Sequence, residues 1–145
     1  MEFFADIPFV EHLQLELVRC DGGHARIDLQ LRDELTNSFA VAHGGVLMTL
    51  LDVAMAHAAR SPDQAGGEPR PGVVTVEMKT TFVRPGEGRL TALGRVLHRA
   101  SSLVFCEGGV HDESGALVAH STGTFKHLRA LPVGGRKVNA QHGSD

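Results

Sequence analysis

The chain has no tryptophan, no tyrosine and only two cysteines. Its core must therefore come from leucine, valine, alanine and a few of its seven phenylalanines. Two cysteines do not make the disulfide framework of a small secreted domain. Cys20 and Cys106 each fall in or near an expected strand, where a cysteine acts as a small apolar filler. No block of five or more basic residues occurs and the formal net charge is −3, so a nucleic-acid footprint is not expected. The longest nearly apolar run, residues 46–59, is broken by Thr49, Asp52 and His57. It falls short of the ~18–20 residues that a membrane-spanning helix takes. The N-terminus MEFFADIPFVEH has early acidic residues and no small-residue cleavage site, so no signal peptide is expected and a cytoplasmic location is. Nine histidines are present without an HExxH or paired-cysteine motif, so no metal site is expected. His111, His120 and His127 lie on separate strand stretches.

What remains is a chain of 145 residues, 42% hydrophobic and 21% charged, sized and composed as one folded domain. That domain is expected over residues 1–131, with a polar, glycine-containing tail over 132–145. Residues 24–32, HARIDLQLR, alternate cleanly and predict a half-buried strand. Residues 12–19 are its expected hairpin partner, with the turn at Asp21-Gly22-Gly23. An irregular stretch over 33–42 leads to HGGVLMTLLDVAMAHAAR. Residues 46–60 hold no glycine or proline and predict a helix apolar nearly all round. Four strands follow, over 73–83, 89–99, 103–111 and 116–127. Their connections are too short for parallel crossovers, which predicts an antiparallel meander. One long helix and about six strands make a two-layer α+β domain. Apolar residues on the second sheet face, including Val83, Leu93 and Leu97, point to burial by another subunit.

Asp52 is the most informative residue. Leu51 and Val53 flank it, and Met48 and Ala56 lie one turn away. A carboxylate in that company costs several kcal/mol unless it is paired or hydrogen-bonded. Either it caps a backbone donor, or it serves as nucleophile or general base in a pocket. His43-Gly44-Gly45 opens the helix. Glycines there expose backbone N–H groups at the electropositive end, a fitting place for a developing oxyanion. They equally permit a tight loop-to-helix turn. Gly44 and Asp52 are eight residues apart, roughly 12 Å along a helix. One helix does not easily serve one carbonyl with both groups, whereas two helices related by a twofold do. Composite sites at a dimer interface are therefore expected.

The pattern Asn37…His43-Gly44-Gly45-Val46-Leu47…Leu50-Leu51-Asp52 resembles the hotdog-fold acyl-CoA thioesterases of the phenylacetate-pathway (PaaI-like) type. The likeness runs on through GVVTVEMKTTFVRPGEG (residues 72–88), LTALGRVLHR (90–99) and DESGALVAHSTGTF (112–125). It implies a curved antiparallel sheet around the helix, paired as dimers and often as dimers of dimers. It implies hydrolysis of an acyl-CoA or related pantetheine thioester, with CoA as part of the substrate and no separate cofactor. By that resemblance the Gly44 N–H polarises the carbonyl, and Asp52 of the facing chain is the general base or nucleophile. Asn37 matches a residue that holds the carbonyl or the water, and Thr75 a hydroxyl that orients the water. Simple alternation puts Thr75 opposite Val74, Val76 and Met78, so a bulge or a subunit contact would have to bring it in. His43 is expected to position the helix start rather than to move protons, and His57 to pack. Gly45, Arg84, Arg95 and Arg99 are candidates for holding CoA, with His98 and Lys126 further basic candidates near sheet ends. Many relatives carry a glycine and a basic residue just after the position of Arg99, where this chain has Ala100-Ser101-Ser102. That leaves room for a carrier-protein thioester. The rival functions are a hotdog-fold enoyl-CoA hydratase or dehydratase, using His43 with Asp52, and a non-enzymatic acyl-CoA-binding module.

Overall fold

In the computed structural model, residues 1–131 and 134–138 are described. Of the expected tail, residues 132, 133 and 139–145 lie outside the described residues. The alternating run becomes β2 (His24–Gln30), paired with β1 (Glu16–Asp21) across a two-glycine turn. Gly22 and Gly23 both have positive φ, 58° and 81°, which a tight hairpin of matching twist requires. The partner strand expected over 12–19 is there but starts later and runs to the turn, because Pro8–Leu13 form a short helix, α1, that takes residues 12 and 13. Pro8 suits its first turn, Val10 and Leu13 bury beneath it, and Gln14 closes it in the left-handed region before the chain straightens into β1.

The central helix, α2 (Gly44–Arg60), starts two residues before the leucine-rich run. Glycine is a poor helix former, but the His43 ring offsets this by accepting the Gly45 N–H at 2.9 Å. At the other end the Ser61 hydroxyl donates to the Ala58 carbonyl (2.7 Å) and Arg99 donates to that of Ala59 (2.9 Å). Among the described residues no helix is long and apolar enough to cross a membrane.

The remaining strands are β3 (Val73–Phe82), β4 (Arg89–Arg99), β5 (Leu103–His111) and β6 (Leu117–His127). They complete one antiparallel sheet in the order β1-β2-β4-β5-β6-β3, curved around α2. The core between the layers joins Leu50, Leu51 and Met55 of the helix to Ile27, Leu90, Val110 and Phe125 of the sheet. Gly94 lies directly under α2, where a Cβ would collide with the Ala54 carbonyl. Glycine at that point lets helix and sheet approach this closely.

The opposite sheet face holds a feature that alternation places in solvent. Asp28 is only 3% exposed. Arg26 grips it through two hydrogen bonds (3.0 and 3.1 Å), and Arg89 (3.1 Å) and Thr91 (3.0 Å) donate as well. Burial alone would raise its pKa. The bonds from Arg26 and Thr91 and the charges of Arg26 and Arg89 outweigh that and hold it below the usual carboxylate range. At the far edge β3 pairs only with β6 among the described residues, leaving Val76 56% exposed with Phe82 and Val83 also open.

Candidate active site

Asp52 projects from the middle of α2 toward β3. Strict alternation would turn Thr75 away, but the register with β6 slips between Thr75 and Glu77, a β-bulge. The Thr75 hydroxyl therefore reaches Asp52 and donates to Oδ1 at 2.6 Å. Burial raises the Asp52 pKa, and the Thr75 bond opposes that rise in part. The result is a carboxylate more basic than usual, oriented by one hydroxyl. Met48, Thr49 and Met78 complete a cleft of about 280 Å³ around the pair.

Gly44 opens onto a different cleft, of about 550 Å³, with Asn37, Phe39, Leu47, Phe82 and Arg84 among its walls. The two clefts share no lining residue within one chain. The Gly45 N–H is taken by the His43 Nδ1, whereas that of Gly44 makes no backbone or side-chain bond among the described residues. Asn37 Oδ1 accepts the Phe39 N–H (2.9 Å) and the Val41 N–H (3.4 Å). Asn37 thus builds the loop over Gly44, with Ala40 held at φ 59°, and lines the cleft.

The other sequence candidates stand apart. Arg95 pairs with Glu107 (Nε to Oε1, 2.6 Å) on the sheet face away from the helix. Arg99 caps the C-terminal end of α2, roughly 24 Å along the helix from Gly44. His98 stacks with Phe105, and Lys126 is exposed. His57 is buried, its Nδ1 donating to the Val53 carbonyl at 2.8 Å and its ring edge-on to Phe3. Burial pushes its pKa down to about 4, so it stays neutral. Cys20 and Cys106 are free and buried. Among the described residues no three His, Cys, Asp or Glu side chains gather as a metal site.

Sequence reasoning missed Phe39 and Phe82. Phe82 lies over Gly44, where a Cβ on the glycine would sit 3.5 Å from its ring. Phe39 is 84% exposed beside it. The available signal was an Asn-x-Phe just before the glycine pair, and nothing in periodicity marks it.

A curved six-stranded antiparallel sheet wrapped around one helix, with an acid on that helix and a glycine pair at its start, defines a hotdog-fold protein. The Thioesterase superfamily model matches residues 39–119, and the chain belongs to that superfamily. Among curated relatives it is 27% identical to the medium/long-chain acyl-CoA thioesterase YigI of Salmonella typhimurium, over 85% of this chain and 87% of that protein. Among solved structures it matches the conserved protein PA5202 of Pseudomonas aeruginosa (TM-score 0.75, 30% identity, 86% of this chain and 96% of that one). It also matches the fold of the PaaI protein of the Escherichia coli phenylacetic acid degradation operon (TM-score 0.76, 22% identity, 85% of this chain and 86% of that one).

Proposed function

We propose that the protein hydrolyses acyl-CoA thioesters at two equivalent sites shared across a homodimer. One observation carries the reading: the raised, Thr75-oriented carboxylate and the open Gly44 N–H lie in separate clefts of the same chain. Thr75 marks the position of Asp52 on β3, and Phe82 marks that of Gly44. These two β3 residues are seven apart, roughly 20 Å along a strand. If the free edge of β3 pairs antiparallel with its own copy about an axis between Met78 and Lys79, and the bulged Val76 takes no partner, Thr75 falls opposite Thr81 of the partner subunit, next to Phe82 of the partner subunit. Asp52 then faces the partner subunit's Gly44, and the exposed Val76 edge is covered. The acyl-CoA thioesterase among the relatives supports the substrate class.

In this arrangement the thioester carbonyl oxygen meets the Gly44 N–H at the positive end of α2, with the Asn37 amide beside it. Asp52 of the facing subunit either takes a proton from an attacking water or attacks the carbonyl itself. The second route forms a mixed anhydride that water then cleaves. The leaving group departs as a CoA thiolate, so the step needs little acid assistance. His43 holds the Gly45 N–H through Nδ1, which ties its ring to the helix start and disfavours the hydratase reading.

The test is thiol release from a panel of acyl-CoAs by the wild type and by Asp52→Asn. A loss of about 10³-fold or more in kcat, with CoA binding retained, is expected. An unchanged rate would remove Asp52 from the chemistry. Single turnover in ¹⁸O-water separates the two routes, because only nucleophilic attack places label in Asp52.

A further inference from the structure

Eight of the eleven arginines have committed guanidinium groups among the described residues. Arg19, Arg26, Arg70, Arg89 and Arg95 bind carboxylates, and Arg32, Arg60 and Arg99 bind backbone carbonyls. The three left over are Arg84, Arg129 and Arg136. Arg129 and Arg136 line one groove of about 350 Å³ together with Lys137, between the start of β3 at Gly72–Val74 and the segment that follows β6. No acidic residue lines that groove. Its described residues are tied down: Leu131 N–H donates to the Arg136 carbonyl (2.7 Å), Leu128 N–H donates to that of Gly72 (2.9 Å), and Val138 packs so tightly on Gly72 that a Cβ there would clash. Arg84, whose charge reaches Asp112 without a hydrogen bond, stands just beyond the other end of β3.

We infer that Arg129, Arg136 and Lys137 of one subunit, joined by the partner subunit's Arg84, form an anion cradle for the phosphorylated nucleotide end of a CoA thioester. This rests on the proposed hydrolase and its dimer. The same β3 pairing sets Val73 opposite the partner subunit's Val83, next to the partner subunit's Arg84. Four uncommitted cations then surround a groove that ends one residue before Thr75, beside the reacting carboxylate. Guanidinium groups suit phosphate oxygens, which they bind through paired N–H donors. A concave groove of this size suits a nucleotide with its phosphates better than the flat acidic helix of a carrier protein. The cradle also supplies the cationic grip that Ala100-Ser101-Ser102 lacks.

The experiment uses one acyl group on three thiols: CoA, 3′-dephospho-CoA and N-acetylcysteamine. Thiol release is followed for the wild type, Arg129→Ala and the double variant Arg136→Ala/Lys137→Ala; Arg84→Ala, whose side chain also lines the Gly44 cleft, is read by CoA binding alone. CoA binding to each is measured by calorimetry without turnover. The expected result is a tenfold or larger rise in KM for acyl-CoA and a matching loss of CoA affinity, with kcat unchanged. A smaller effect is expected on the dephospho substrate and none on the N-acetylcysteamine thioester, and the CoA penalty should shrink in high salt. Arg136→Lys should restore part of the affinity. Equal effects on all three thiols or no effect on any would each overturn the cradle. Failure of the hydrolase reading is separately visible as no thiol release from any substrate by the wild type, and CoA binding would still judge the cradle.

Discussion

Replacing Thr75 with valine keeps the shape and the β preference of the residue while deleting the 2.6 Å bond to Asp52. The bond holds the carboxylate in its ionised form against the burial that raises its pKa. Without it the pKa rises further, and the ionised fraction at mildly acidic pH falls. A hydrogen bond to a charged group is worth about 1.5–3 kcal/mol. Thr75 is exposed, so water replaces part of it, and about 1 kcal/mol is a fair expectation. That is roughly a fivefold loss of kcat/KM on the acid limb of the pH–rate profile. On the plateau, where Asp52 is ionised in both proteins, the loss should be much smaller. The assay is thiol release from one acyl-CoA across the acid and neutral range, with folding followed by circular dichroism at each pH. A plateau that collapses while the acid limb stays put would refute the electrostatic account and make Thr75 a water-positioning group instead. An unmoved profile would remove Thr75 from the site.

Two further perturbations test the scaffold. Asp28→Asn removes a buried carboxylate, leaving Arg26 without its charge partner and Arg89 with Glu16 alone, so stability at neutral pH should drop by about 1–3 kcal/mol. The native pKa of Asp28 is lowered, so its contribution is full above the ordinary aspartate value of about 3.9 and fades as pH falls through the lowered native value. Urea unfolding should show the gap between wild type and variant closing only at acid pH. A gap that widened on acidification would contradict the pairing. Gly94→Ala places a methyl against the Ala54 carbonyl, and α2 must lift from β4 to admit it. A loss of about 3 kcal/mol, or roughly 10 °C in Tm, is expected by calorimetry. A variant as stable as the wild type would mean that helix and sheet are not in this contact.

The layers were legible because each element carries its own period. The β4 and β5 bounds coincide with the alternation, and α2 differs only at its start, where a side-chain cap recruits two glycines that propensity alone excludes. The start of β1 was placed too early because the apolar residues before Glu16 are compatible with a strand. Pro8 with Val10 and Leu13 at helical spacing decided otherwise. Asp28 was misread for a deeper reason. Period-two alternation separates faces but does not say that two arginines will close over an acid on the outer one. Asp52 could be singled out in a single chain because the cost of its burial is written in its immediate neighbours. Phe39 could not, because it lies in a loop whose shape depends on the Asn37 side chain and a left-handed Ala40.

The bulge on β3 links the site to assembly. Slipping the register between Thr75 and Glu77 turns the Thr75 hydroxyl to Asp52. The same slip thrusts Val76 outward on an edge strand whose ladder groups have no partner on that side among the described residues. A bulge alone discourages edge pairing, since the kink twists the strand out of register. Here it lies to one side of Met78, so in the proposed pairing each bulge faces the regular residues 80–82 of the other copy. One local irregularity therefore does two things. It orients the Asp52 carboxylate and, in the proposed dimer, would limit how far along β3 a second subunit can slide. In the proposed dimer, a register set in this way would carry Asp52 to the glycine turn that its own chain holds out of reach.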